Sequence, residues 1–369
     1  MFRFLLVGIF IFILVLIGGG VHGSQSAQYE FAYSENLDLK FEFNIYDGVF
    51  FEKEVLQSIR EAKSHVELFL FSFASPSVYK LLNEKMDEGL TVDLYVDRGF
   101  LIEFEDEEFV EHENFNLHVI DNLRMENQSI YMHHKFVLID QRTLFWSSNN
   151  LSWYQDVFDP GFFIEIKNLL LIDFLNVELE RLRRGQTGIS KLRVGSYNPF
   201  LADLQFADEF LELWTSPGFK SFSFKNRLIE LIDSAEESLD VMSWMITDED
   251  VFRAFLRAKR RGVDVKFIID DYSLRQSESV FERVVSSGFE YRLDTSLQQG
   301  VVQDLFVDEY NAYFHFHSLI VDDKILVNGT NNWSFAGFLL NDELILVTDD
   351  DFAVGRFSEV FDFYWQKFL

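Results

Sequence analysis

"LQSIREAKSHVELFLFSFASPSVYKLLNEKMDEGLTVDLYVD", residues 56–97, is matched at a constant offset of 173 by "IELIDSAEESLDVMSWMITDEDVFRAFLRAKRRGVDVKFIID", residues 229–270. Ile59 meets Ile232, Ala62 meets Ala235, Gly89 meets Gly262, Val92 meets Val265 and Asp97 meets Asp270. A repeat of this length means two copies of one folded unit. In the first copy Val55, Ile59 and Ala62 stand at helical spacing. A strand-like apolar run follows, residues 66–73 or 239–246. A second helix opens with a start signal, Ser75-Pro76 in one copy and Thr247 with Asp250 three residues on in the other. It stops at Gly89 or Gly262, and another strand follows, 92–96 or 263–269. Strands alternating with helices predict an α/β fold, here two similar α/β/α halves related by a pseudo-two-fold axis.

A second repeated pattern lies further along each copy. "MHHKFVLIDQRTLFWSSNN", residues 132–150, aligns at an offset of 182 with part of "FHFHSLIVDDKILVNGTNNWSFAGFLLNDE", residues 314–343. His133 meets His315, Lys135 meets His317, Asp140 meets Asp322, Ser148 meets Thr330 and Asn150 meets Asn332. Alternate residues of a strand share a face, so His133 projects with Lys135, and His315 with His317. His134 should face away. Asp140-Gln141-Arg142 and Asp322-Asp323-Lys324 read as hairpin turns, and on the returning strands Ser148 pairs with Asn150, and Thr330 with Asn332.

Each copy thus gathers imidazole, cation, hydroxyl and amide in one place. If the copies pair, two half-sites converge on one cleft. These are the groups needed to cleave a phosphodiester: one imidazole to attack phosphorus, an opposite imidazolium to protonate the leaving alkoxide, and donors for the non-bridging oxygens. The four imidazoles at 133, 134, 315 and 317 also raise a transition-metal reading, but no carboxylate stands at ligand spacing beside them. Neither a metal nor a cofactor is expected.

The duplicated H-x-K-x4-D pattern followed by a small polar Asn cluster resembles the signature of the phospholipase D superfamily, from about residue 40 to the C-terminus. "WTSPG" (214–218) and "AKRRGVDVKFIIDD" (258–271) add to the resemblance. It implies His133 as nucleophile and His315 as acid and base. It implies phosphate binding by Lys135, Ser148, Asn150, Thr330 and Asn332, and a histidine-orienting role for Glu343. Asp140 and Asp322 are expected to be structural. Two departures stand out: His317 replaces the second lysine, and Gly161 stands where copy one should match Glu343, with Asp156 or Asp159 as substitutes. Free imidazole titrates near pH ~6.5, so His317 is expected to weaken the activity and shift it to mildly acidic conditions, with bound phosphate raising its pKa.

Composition bounds the rest. The 369 residues carry 32 basic and 61 acidic side chains, a net charge of −29, which disfavours broad contact with nucleic acid. Cysteine is absent, which excludes disulfides and thiol catalysis. Arg3 precedes an uncharged apolar stretch, so residues 1–23 read as a signal peptide or a membrane anchor, and the protein as exported. The domain reading is repeat one over 40–180, a basic linker over 181–204 with a solvated face, and repeat two over 205–369. His65, His112 and His118 read as ordinary histidines, and "FDFYWQKFL" (361–369) as a closing amphipathic helix. The expected partner is a phospholipid or another phosphodiester, with membrane association and a monomeric state, since a duplicated chain completes its own site. An endonuclease and a phosphate-binding pseudoenzyme are the alternatives.

Overall fold

The computed structural model describes residues 32–34, 38–44, 50–99, 112–121, 130–193, 197–206, 209–218, 223–294 and 312–368. The N-terminal stretch read as signal or anchor lies outside the described residues. Among those described, no helix is long and apolar enough to cross a membrane.

The first half runs β1 (Ala32–Ser34), β2 (Leu39–Asn44), α1 (Phe51–Glu61), β3 (His65–Leu70), β4 (Phe73–Ala74), α2 (Pro76–Asp87), β5 (Thr91–Asp97), β6 (Phe115–Ile120), β7 (Lys135–Ile139), β8 (Thr143–Ser147), β9 (Leu151–Ser152), α3 (Trp153–Phe158), β10 (Gly161–Ile166) and α4 (Leu169–Arg183). After a 3-10 segment, Gly188–Arg193, the second half runs β11 (Phe200–Phe206), β12 (Glu209–Ser216), α5 (Phe224–Ser234), β13 (Ser238–Ser243), α6 (Glu249–Arg261), β14 (Asp264–Asp270), α7 (Asp271–Leu274), α8 (Phe281–Ser286), β15 (Glu290–Asp294), β16 (His317–Val321), β17 (Ile325–Gly329), α9 (Phe335–Leu339), β18 (Glu343–Thr348) and α10 (Asp351–Lys367). The main sheets have the orders β1-β2-β10-β8-β7-β3-β5-β6 and β11-β12-β18-β17-β16-β13-β14-β15. Strand for strand, this is one topology written twice, as the repeat at offset 173 predicts.

Local chemistry sets the boundaries. Ser75 accepts from the Val78 N–H at 3.1 Å and Pro76 fills the first helical position, so α2 starts where its sequence signal stands. In the second copy the cap is Asp248, one residue beyond Thr247: its carboxylate takes the Asp250 and Val251 N–H groups at 3.0 and 3.2 Å. Gly262 ends α6 at φ +96°, where a side chain would be strained. The β7–β8 and β16–β17 turns place Asp140, Gln141, Asp322 and Asp323 at φ between 50° and 56°, the left-handed geometry that matches hairpin twist. The Asp140 carboxylate accepts from the N–H groups of Lys63, Ser64 and His65 at 2.8–3.0 Å. Asp322 does the same for Glu236, Glu237 and Ser238 at 2.7–3.0 Å. Each motif aspartate therefore ties its hairpin to the loop before the neighbouring strand.

Three apolar cores result. Val55, Ile59, Val78 and Leu82 of α1 and α2 pack on the outer face of the first sheet. Leu228, Phe252 and Phe255 of α5 and α6 pack on that of the second. Between the sheets a shared core joins Phe41, Phe43 and Trp146 with Leu213, Ile320 and Leu346, and includes Leu175 of α4 and Phe357 of α10. Phe43 meets the Phe357 ring edge-on at 5.0 Å. Three of the C-terminal aromatics are spent here, since Phe361, Tyr364 and Phe368 are buried.

The basic connection differs from its sequence reading. Arg181 and Arg183 belong to α4, and Arg183 forks onto Glu67 at 2.7 and 2.8 Å. Lys191 is wholly buried, paired with Glu178 and, at 2.5 Å, with Asp342. Only part of this segment faces solvent, because its cations neutralise carboxylates that the fold has buried. β11 begins at Phe200, inside the stretch read as linker.

Candidate active site

Each histidine lies just ahead of a central strand and is held by the opposite half. The His133 N–H donates to the Asp342 carbonyl at 3.0 Å, and the Asp342 N–H to the Tyr131 carbonyl at 2.9 Å. In the mirror position the His315 N–H donates to the Pro160 carbonyl at 2.8 Å, and the Tyr313 N–H to Asp159 Oδ1 at 2.9 Å. Two further aspartates brace the preceding residues. Asp97 Oδ2 accepts from the Met132 N–H, and Asp270 Oδ2 from the Phe314 N–H, both at 2.9 Å. Their matched places in the repeat were visible in the sequence; their role was not.

The carboxylates that orient the rings also cross over. Glu343 Oε2 lies 2.8 Å from His133 Nδ1, so the second half's glutamate serves the first half's histidine. Asp159 Oδ2 lies 2.7 Å from His315 Nδ1, so Asp159, and not Asp156, supplies the missing carboxylate. Asp156 instead accepts the Glu52 N–H at 2.6 Å and the Asn44 amide at 3.3 Å, fixing the start of α1. A glutamate at 161 has no room: a Cβ on Gly161 would stand 2.0 Å from Asn149 Oδ1 and 2.6 Å from Ser148 Oγ.

His133, Lys135, Ser148, Asn150, His315 and His317 all line one cavity of about 510 Å³. The two motif histidines thus open into one space. Thr330 and Asn332, expected to bind phosphate, are not on its wall. The Thr330 hydroxyl donates to Glu343 Oε2 at 2.8 Å, so it fixes the carboxylate behind His133 instead. β8 and β17 end at the equivalent Ser147 and Gly329, and beyond those ends only the first copy's pair, Ser148 and Asn150, lines the cavity. His134 faces away, with Nε2 3.3 Å from Glu178 Oε1. His65 and His118, read as ordinary, share the two oxygens of Asp93 at 2.7 Å each.

Burial drives this cluster towards neutrality. It pushes the Glu343 carboxyl up to about 8 and the Lys135 ammonium down to about 7. It holds His133 well below the usual imidazole range, helped by the Lys135 charge and by His315. His317 is held well below that range by burial, then by His315, His133 and Lys135. In the empty site that direction runs against a protonated His317. A bound phosphodiester anion reverses the balance and favours the protonated rings. Among the described residues no group of three or more His, Asp or Glu side chains is placed to hold a metal ion.

Two sheets of one topology, each lending a histidine to a shared cavity, define a duplicated α/β protein with a single composite site. Residues 55–157 and 228–365, more than half of the chain, match the family described as cardiolipin synthase, PLD-like domain. The chain belongs to this phospholipase D-like family. It is 28% identical over 143 residues to the mitochondrial cardiolipin hydrolase of Homo sapiens, covering 39% of this chain and 51% of that protein. It is 29% identical over 151 residues to cardiolipin synthase A of Yersinia pseudotuberculosis, covering 41% of this chain and 29% of that protein. The chain therefore spans about half, or less, of these curated relatives. The crystal structure of phosphatidylserine synthase from Haemophilus influenzae Rd KW20 superposes with a TM-score of 0.61 at 13% identity, over 89% of this chain and 86% of that one, a likeness of fold.

Proposed function

We propose that the protein is a phosphodiesterase that hydrolyses phospholipids, or transfers their phosphatidyl group to an alcohol, through a phosphohistidine and without a metal. The observation that carries the proposal is the pair of histidines from opposite halves, each beside a buried carboxylate of the other half, opening into one cavity. His133 is the nucleophile: burial and Lys135 keep its imidazole neutral. Its Nε2 lone pair forms a bond to phosphorus while the ester P–O bond breaks. The leaving alkoxide takes a proton from His315. Water then attacks phosphorus, gives a proton back to His315, and the P–N bond breaks. Lys135 and the Asn150 amide hold the non-bridging oxygens.

A lipid substrate fits the net charge of −29, which repels nucleic acid, and the names of the relatives, which act on or make cardiolipin. Residues 1–23 would carry the chain to an exported or membrane-attached location. The test is incubation with chelator present against phospholipid vesicles and single-stranded DNA. Headgroup release supports the proposal, shortened DNA replaces it with a nuclease, and inactivity on both leaves a phosphate-binding protein. With a p-nitrophenyl diester, whose leaving group needs no proton, His315→Ala should accumulate a phospho-adduct that His133→Ala cannot form.

A further inference from the structure

The two ring-orienting carboxylates do not occupy equivalent places in the repeat. At offset 182 Glu343 corresponds to Gly161, while Asp159 corresponds to Asn341. Yet residues 159 and 341 share one task. Asp159 Oδ1 accepts the Tyr313 N–H at 2.9 Å, and Asn341 Oδ1 accepts the N–H of Tyr131, the tyrosine equivalent to Tyr313, at 3.1 Å. The second oxygen of Asp159 faces His315 Nδ1 directly. The Asn341 amide instead donates through Nδ2 to Glu343 Oε1 at 3.1 Å, and Glu343 Oε2 faces His133 Nδ1. One half reaches its ring in a single step, the other in two.

The neighbouring residues follow the same division. At offset 182 Asn149 corresponds to Asn331 and Ser148 to Thr330. Asn149 fills the space that a side chain at Gly161 would need, and its Nδ2 donates to the Asp159 carbonyl at 2.9 Å. The Ser148 hydroxyl donates to Asn149 Oδ1 at 3.1 Å, whereas that of Thr330 donates to Glu343. Among the described residues neither Oδ1 nor Nδ2 of the buried Asn331 has a hydrogen-bond partner. With a glutamate in place, Asn331 lacks the contacts that its counterpart makes. The residue type at 341 is bound to the same choice. A carboxylate there would stand against Glu343 in a buried site, where two such groups cannot both ionise. An amide removes that conflict and donates as well.

We propose that Asn341 is a positioning residue, which fastens Glu343 behind His133, and that the Asn341–Glu343 pair is exchangeable as a unit for an aspartate–glycine pair of the kind at 159 and 161. The inference rests on the phosphodiesterase reading for the role of the ring: a carboxylate at Nδ1 holds the proton there and leaves the Nε2 lone pair for phosphorus. Neither residue is exchangeable alone. Glu343→Gly removes the carboxylate, and Asn341→Asp sets two carboxyls in contact. Made together, the changes offer His133 the contact that Asp159 makes with His315, and offer Asn331 the space that Asn149 occupies in the first half.

The test compares the full-length wild type, both single variants and the double variant Asn341→Asp/Glu343→Gly in headgroup release from phospholipid vesicles. In Glu343→Gly kcat should fall by at least about 10²-fold, with KM little changed. In Asn341→Asp it should fall about tenfold, and the double variant should be about tenfold faster than Glu343→Gly, although independent losses would multiply. Nitrogen NMR of the His133 side chain is a readout that a merely structural role would not move. It should show the Nδ1-protonated ring in the wild type and the double variant, and mixed tautomers in Glu343→Gly. A double variant that fails to fold, or that folds and is no faster than Glu343→Gly, overturns the exchange. An Asn341→Asp protein whose kcat and His133 spectrum match the wild type overturns the positioning role. A wild type that turns over no diester refutes the catalytic reading, and the His133 spectra of the same proteins then decide the inference by themselves.

Discussion

Asp159→Asn isolates the carboxylate that took over the place of the glutamate missing at Gly161. In the folded protein Oδ1 accepts the Tyr313 N–H at 2.9 Å and Oδ2 faces His315 Nδ1 at 2.7 Å. An asparagine can keep the first contact through its carbonyl. Its NH2 then meets Nδ1, so the ring proton is driven to Nε2 and the imidazolium loses its counter-charge. Two unit charges whose centres lie about 4 Å apart, at an effective dielectric of about 20, interact by about 4 kcal/mol. If that attraction is lost whenever His315 is protonated, the rate on an unactivated diester falls about 10³-fold. Stability should change by no more than ~1 kcal/mol, because the fold-bearing contact survives. Asp156→Asn is the matched control: it sits close by in sequence but caps α1 through the Glu52 N–H, so its rate should stay within about threefold of wild type. The assay is steady-state headgroup release with thermal unfolding of both variants. A rate for Asp159→Asn within about threefold of wild type, or an equal fall in Asp156→Asn without unfolding, refutes the assignment.

Three other outcomes are expected. Lys191→Met leaves Glu178 and Asp342 buried without their cation and should cost about 3–5 kcal/mol in denaturant unfolding at pH 7. Burial opposes it, but the Lys191 charge takes the Glu178 carboxyl down to about 2, so this stabilisation is present above the ordinary carboxyl range and fades as pH falls; the gap between variant and wild type should narrow in acid. Glu343 titrates at about 8, above its ordinary 4.5, so its ionisation costs wild-type stability as pH rises between those values, by roughly 1.4 kcal/mol per unit; Glu343→Gln should flatten that slope. His317→Lys restores a second cation beside Lys135 and should tighten inhibition by inorganic phosphate about tenfold at pH 7, and unchanged inhibition would remove His317 from the anion site.

The fold was legible because its two strongest signals, the repeat at offset 173 and the strand–turn–strand around Asp140 and Asp322, are properties of contiguous chain. The site was legible only in part, and each miss has a local cause. Strand alternation put His133 with Lys135, and both line the cavity, but carried past the ends of β8 and β17 it meets the cavity at Ser148 and Asn150 and misses it at Thr330 and Asn332. The basic count over 181–193 suggested solvent because the carboxylates that neutralise it, Glu67, Glu178 and Asp342, lie in other elements. Asp156 and Asp159 could not be separated by spacing, since the choice depends on a Cβ that Gly161 must lack and on Tyr313, 154 residues away from Asp159. The crossing of Glu343 to His133 was hidden for a deeper reason. Aligning two copies compares each residue with its counterpart, whereas the contact runs between non-equivalent positions of different copies. That crossing binds the chemistry to the duplication itself. Either half alone keeps its strand order and its imidazole, but the carboxylate that would aim that imidazole, and the carbonyl that holds its N–H, belong to the other. One composite site is therefore what the shared core between the sheets maintains, and the glutamate missing at Gly161 is replaced from the same copy by Asp159.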